Sequence, residues 1–176
     1  IMGYGLSLAS SSGMRHALPH KAISIMGDGG FWHNGLTSGV TSAVFNGHDG
    51  LLIIIDNGYS AATGGQDIPS LVEPSLIAST IDAQQPQREQ WQSIEDACRG
   101  AGVDWLQTVS TYNIEAMKHT LREALTTDAP GLKVVIAEGE CMLNRQRRIK
   151  PLLKKAIDTG QRVDRARFYI DAETCT

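Results

Sequence analysis

At 176 residues the chain has room for one well-buried domain, and its 41% hydrophobic and 20% charged residues are ordinary for a globular protein. No apolar run approaches the roughly 18 residues of a membrane span, and nothing at the start has the form of a signal peptide. The net charge of −3 hides an asymmetry: residues 1–144 carry 7 Lys and Arg against 15 Asp and Glu, a net of −8, and residues 145–167 carry 9 against 2, a net of +7.

The opening "MGYGLSLASSSGM" (2–14) reads as a small-residue helix able to pack closely on a sheet. "KAISIM" (21–26) and "LLIIID" (51–56) are short isoleucine-rich runs of the kind found in buried parallel strands. Between them Leu36, Val40, Ala43 and Val44 recur at helical spacing, which completes a βαβ unit with an expected right-handed crossover. Residues 64–92, with three prolines and many Gln and Ser, read as a long loop. Ser93 and Asp96 have capping-box spacing and open a short helix through Cys98. "WLQTV" (105–109) is a strand, and Asn113 caps a helix with Ile114, Met117, Leu121 and Leu125 on one face. Gly131 ends that region before a last buried strand, "LKVVIAEG" (132–139). The alternation predicts an α/β fold: an open, mostly parallel sheet with helices on both faces. Domains are expected at 1–144 and, as a basic extension, at 145–176.

Cys98, Cys141 and Cys175 are odd in number and form no Cys-x-x-Cys pair, which points to a reducing compartment such as the cytoplasm. His16, His20, His33, His48 and His119 lack zinc-ligand spacing. The basic block at 145–167 suits a solvated helix or an inter-domain contact. A nucleic-acid or scaffold role is the rival, but no aromatics interleave with the charges before Phe168 and Tyr169. Residue 1 is Ile, and the chain reads as a piece of a longer one.

The chemistry gathers in two stretches, "IMGDGGFWHNG" (25–35) and "DNGYSAATGGQ" (56–66), each just past a strand. In parallel sheets ligands bind beyond the carboxyl ends of the strands, so both should face one cleft. Gly-Asp-Gly alone fits a surface turn, with Asp28 pointing into open space at a strand tip. Set beside Asn57 it offers hard oxygens for magnesium, which is commonly held by one or two protein groups plus substrate phosphates. Gly29 and Gly30 lead into a helix N-terminus, where amides and dipole favour a phosphate. Together these parts describe a diphosphate bound through Mg²⁺.

"GDGG", 25 residues and then "DN" resembles the thiamine diphosphate motif. "DNGYSAATGGQ" is similar to the corresponding loop of the 2-oxoacid:ferredoxin oxidoreductases, and "GDGGFWHNGL" to a segment of their indolepyruvate branch. The resemblance implies that Asp28, the Asn57 side chain and the Tyr59 carbonyl hold the metal. It implies that Gly27, Gly29 and Gly30 cradle the diphosphate and that Phe31 borders it. Ser60, Ala61 and Ala62 would lie beneath the thiazolium ring, and Thr63 to Gln66 would close the turn. His33 matches a pocket histidine that either orients the loop or transfers a proton. Phe31 and Trp32 are expected to pack.

The implied cofactors are thiamine diphosphate and Mg²⁺, with a 4Fe–4S cluster only in the full-length protein. Cys175 could enter an iron–sulfur segment but stands alone here, where it reads as an inert thiol. The implied reaction is oxidative decarboxylation of a 2-oxo acid, expected to be an aryl pyruvate such as indolepyruvate. The acyl group would pass to coenzyme A and the electrons to ferredoxin. A pyrimidine-binding domain or subunit would supply the missing activating glutamate, in a homo-oligomer that engages neither nucleic acid nor membrane. Where parts of the family have Cys at the position of Ile1, this sequence departs. The rival within the cofactor class is a non-oxidative 2-oxo acid decarboxylase or an acetolactate synthase-like enzyme.

Overall fold

The computed structural model describes residues 5–14, 17, 19–70 and 92–164. Two compact units divide the chain, Ile1–Cys141 and Met142–Thr176. The expectations for Ile1, Phe168, Tyr169 and Cys175, and for most of the 64–92 loop, lie outside the described residues.

In the first unit, helix α1 (Ser7–Met14) precedes strand β1 (Ile23–Gly27). Strand β1 runs straight into helix α2, built of Asp28–Gly30, a wider π-wound section Phe31–Thr41, and Ser42–Phe45. Then come β2 (Leu51–Asp56), a 3₁₀ turn (Ala61–Thr63), α3 (Ile94–Gly100), β3 (Trp105–Ser110), α4 (Ile114–Thr126) and β4 (Lys133–Glu138). Among the described residues the strands all pair in parallel, in the order β1-β2-β4-β3. The expected α/β architecture is the one observed.

Side chains alternate across the strands, and each face has its own helices. Met26, Leu52, Ile54, Leu106, Val134 and Ile136 meet Leu8 of α1, Phe31, Val40 and Ala43 of α2, and Ile94 and Cys98 of α3. Each fully buried aliphatic there contributes about 1.5–3 kcal/mol. On the opposite face Leu51 and Val135 pack with Ala124 of α4. Helix α1 sits tightly on β1 as its small residues suggest: Ser24 Oγ lies 2.6 Å from Ser11 Oγ, and both side chains are buried.

Both predicted caps form. Ser93 Oγ accepts the Asp96 N–H at 3.2 Å, and Asn113 Oδ1 accepts the Ala116 N–H at 3.1 Å. The apolar face of α4 is shifted from its expected position. Thr120 and Ala124 are its buried centre, with Met117 and Leu121 beside them. Ile114 is 68% exposed and Leu125 38% exposed.

The second unit contains helix α5 (Met142–Asp158), which covers most of the basic block. Arg147, Arg148, Lys150, Lys154 and Lys155 are exposed on it.

Candidate functional site

The site grows from the adjacent ends of β1 and β2, where Gly27 pairs in register with Ile55. Asp28 follows Gly27 without any loop and occupies the first turn of α2, where an acidic side chain complements the helix dipole. Its carboxylate does not point into open space. Asp28 is only 2% exposed. Oδ1 accepts the Gly29 N–H at 2.7 Å, and Oδ2 accepts the N–H groups of Asn57 and Gly58, both at 2.8 Å. The side chain therefore ties the start of α2 to the loop after β2.

The glycines also differ from expectation. Gly29 and Gly30 are helical and buried, with none of the positive φ that a glycine turn uses. The Gly29 amide is engaged by Asp28. Gly27 is the exposed one, and a Cβ built on it would meet nothing within 4 Å. Neither a positive φ nor a crowding neighbour requires a glycine there. Gly35 answers a different need, as its Cβ would lie 2.6 Å from Met26 Sδ and 3.0 Å from the Gly30 carbonyl oxygen.

The second loop is a chain of tight turns. Asn57 Oδ1 accepts the Tyr59 N–H at 3.3 Å, an Asx-type turn, and Gly58 takes φ 81°. Ser60 has φ −74° and ψ 77°, and the Ala61 N–H bonds to the Tyr59 carbonyl at 2.8 Å, which makes an inverse γ-turn. Ser60 then bridges back to Gln66, with Ser60 N–H to Gln66 O at 2.9 Å. Thr63 Oγ1 lies 2.7 Å from Ser60 Oγ and from Gln66 Oε1. Because the Gln66 oxygen can only accept, Thr63 donates to it and Ser60 donates to Thr63. This closed loop leaves Ala61 and Ala62 exposed and Ser60 buried.

Two aromatic residues of α2 follow the site's aspartate. Phe31 is fully buried in the core, edge-on to Trp32 with ring centroids 5.0 Å apart. Trp32 Nε1 donates to Ser70 Oγ at 2.8 Å, which pins the chain after the loop. His33, one residue on, is exposed. Asp28, Asn57, Tyr59 and Ser60 thus converge at two strand ends, while Phe31 belongs to the core.

Asp56 and Glu138 were not singled out from the sequence. They end β2 and β4 in register with each other. Burial and then the neighbouring Asp28 charge push the Asp56 carboxyl up to about 6, with Glu138 adding to the effect. The end of the sheet is therefore strongly acidic and suited to a cation. The signal was available: the runs "SIMGD", "LIIID" and "VVIAE" each end in an acid. Among the described residues no three His, Cys, Asp or Glu are grouped to hold a metal, so cation binding here needs amide or carbonyl oxygens too. Cys98 is buried, and burial with the nearby Glu95 raises its thiol to about 12, which makes it unreactive. No helix among the described residues is long and apolar enough to cross a membrane.

The family model for the C-terminal TPP binding domain of thiamine pyrophosphate enzymes matches residues 1–137. The chain is 36% identical over 139 residues to the indolepyruvate oxidoreductase subunit IorA of Archaeoglobus fulgidus, covering 79% of this chain and 20% of that protein. To the same subunit of Methanothermobacter thermautotrophicus it is 31% identical over 144 residues, covering 82% and 21%. The chain spans about a fifth of the length of these curated relatives. Its fold is similar to the 2-oxoglutarate:ferredoxin oxidoreductase from Magnetococcus marinus solved with 2-oxoglutarate, coenzyme A and succinyl-CoA. The TM-score is 0.62 at 16% identity, covering 78% of this chain and 46% of that one.

Proposed function

This chain belongs to the thiamine pyrophosphate enzymes, as their C-terminal TPP-binding domain, and from that premise we propose that the cleft beyond β1 and β2 holds the diphosphate through Mg²⁺. The observation that carries this reading is the double attachment of Asp28. A carboxylate offers about four lone-pair sites, and three here take N–H groups, which leaves one on Oδ1 for a cation. Asn57 Oδ1 and the Tyr59 carbonyl are the neutral ligands, all hard oxygens as magnesium prefers. Asp56 and Glu138 add negative potential that a cation relieves. The donor chemistry therefore fits the metal.

Gly27 gives the diphosphate close access to the backbone, with Gly29 and Gly30 behind it in the first turn of α2. Ser60, Ala61 and Ala62 form the floor of the ring site, made firm by the Ser60–Thr63–Gln66 relay. Phe31 packs in the core at the start of α2. His33, exposed on α2, either orients the loop or handles a proton. Bound thiamine diphosphate supplies the electron sink for releasing CO₂ from a 2-oxo acid. The residues of this chain bind and orient it.

For the whole protein we infer an oxidative enzyme of the indolepyruvate type. The names of the curated relatives and the resemblance of "DNGYSAATGGQ" support this. Coenzyme A and ferredoxin would be its acceptors, and a pyrimidine-binding domain or subunit would complete the site within a cytoplasmic homo-oligomer. A 4Fe–4S cluster would belong to residues beyond this chain. The test is calorimetric titration of thiamine diphosphate into the native assembly, with Mg²⁺ and then with a chelator. Saturable binding only with the metal is expected, and metal-independent binding of equal strength would overturn the reading.

A further inference from the structure

The loop that bears Ala61 and Ala62 is tied to α2 at both of its ends. At its start Asn57 and Gly58 donate their N–H groups to Asp28 Oδ2, each at 2.8 Å. At its far end Ser70 Oγ accepts the indole N–H of Trp32 at 2.8 Å. Asp28 and Trp32 stand four positions apart at the start of one helix, so a single stretch of α2 grips residues 57–70 twice. Between these ties the turns from Tyr59 to Gln66 close on one another and leave Ala61 and Ala62 exposed.

Both partners in the far tie are held in place by other contacts. Trp32 packs against the main core and lies edge-on to the buried Phe31 ring, which makes the indole a stiff donor. An indole nitrogen can only donate, and a partly buried one usually finds an acceptor. That N–H is what tryptophan adds over phenylalanine at an apolar seat. On the other side Ile68 is buried, and the Pro69 carbonyl accepts the Gln92 N–H at 3.2 Å. The chain beside Ser70 is therefore already seated, and its short side chain reaches the indole with little rotamer freedom to lose.

We propose that Trp32 is a positioning residue for the ring site, its indole N–H holding the far end of the 57–70 loop to α2 before the cofactor arrives. This rests on the reading of Ser60, Ala61 and Ala62 as the floor beneath the thiazolium ring. A loop released at Ser70 opens locally, without unfolding of the core. Only the closed fraction offers a floor, and affinity falls in proportion to it.

The test compares Ser70→Ala, Trp32→Phe and the double variant in the native assembly. Thiamine diphosphate is titrated with Mg²⁺ present, and amide hydrogen exchange is followed without cofactor. All three variants should weaken binding by one shared factor of about two- to ten-fold, because each breaks the same neutral hydrogen bond. The Ser60 amide, which donates to the Gln66 carbonyl, should exchange faster in each. Ser70→Thr keeps the hydroxyl and should restore both values, and the urea midpoint of Ser70→Ala should stay near that of the wild type. Wild-type affinity in Ser70→Ala would overturn the proposal whatever the midpoint does, since Ile68 and Gln92 would then hold the loop end unaided. So would weakening in Trp32→Phe alone, which would assign the effect to packing of the ring. If the wild-type assembly binds no thiamine diphosphate, the reading of the floor fails, and Ser60 exchange in Ser70→Ala then decides on the clasp alone. Faster exchange supports it, and unchanged exchange contradicts it.

Discussion

The carboxylate of Asp28 accepts the backbone N–H of Asn57 at 2.8 Å, across 29 positions of sequence. With the Gly58 N–H on the same oxygen, one buried side chain joins the two loops that make the site. Asp28→Asn places an NH₂ against an N–H on whichever side it turns, and leaves a buried donor unpaired. A loss of about 1–3 kcal/mol is expected in urea unfolding, even without cofactor. An unchanged midpoint would show that Asp28 does not hold the loops together.

Gly35→Ala tests the seat of α2. Alanine favours a helix interior by about 1 kcal/mol, but its Cβ would press on Met26 Sδ and on the Gly30 carbonyl. Overpacking in a closed core costs about 1–3 kcal/mol, so the net effect should be a lower denaturation midpoint. A stabilised variant would mean that Met26 moves aside freely.

At the opposite end of the sheet, Lys133 is fully buried and donates to Asp49 Oδ1 at 2.5 Å and to the Gly131 carbonyl at 2.9 Å. Partial burial pushes the Asp49 carboxyl up, but Lys133 and then Lys21 outweigh it and hold it below its ordinary 3.8. A carboxyl depressed in the folded state contributes stability above its unfolded value and loses it as pH falls through the folded one. Asp49→Asn should therefore destabilise near neutrality, by up to about 3 kcal/mol because half the pair is solvent-reached. The two proteins should begin to converge as pH falls below about 4, the range of unfolded carboxylates, and meet only below the folded value of Asp49. Parallel stability curves across that range would contradict the assignment.

Helix α5 carries the charge contrast. Replacing Arg147, Arg148, Lys154 and Lys155 by Glu in the native assembly should slow reduction of an acidic ferredoxin at low salt. The difference should shrink as the screening length falls to about 8 Å at physiological salt. Thiamine diphosphate affinity should be unchanged. Equal reduction rates at low ionic strength would leave α5 as a solvated helix.

Much of the fold was legible because its signals are local. The isoleucine runs set the strands, and Ser93 and Asn113 cap the helices their spacing announced. The glycine segment was less legible. Gly29 and Gly30 favour a turn in isolation, yet the Asp28 bonds and the packing of α2 on the sheet draw them into a helix. The acids of Asp56 and Glu138 were hidden for another reason. Their proximity depends on β4 entering the sheet beside β2, and strand order is not written in any local pattern. Ile114 and Leu125 kept helical spacing yet stay exposed, while Thr120 and Ala124 form the buried centre of α4.

The most direct test of the central claim is the calorimetric affinity of the native assembly for thiamine diphosphate with Mg²⁺, wild type against Asp28→Ala. Circular dichroism would confirm that the variant stays folded. Loss of saturable binding in the folded variant is the predicted result, because Asp28 is the charged ligand of the proposed metal site and the tie between its loops. Wild-type affinity in Asp28→Ala would contradict the account.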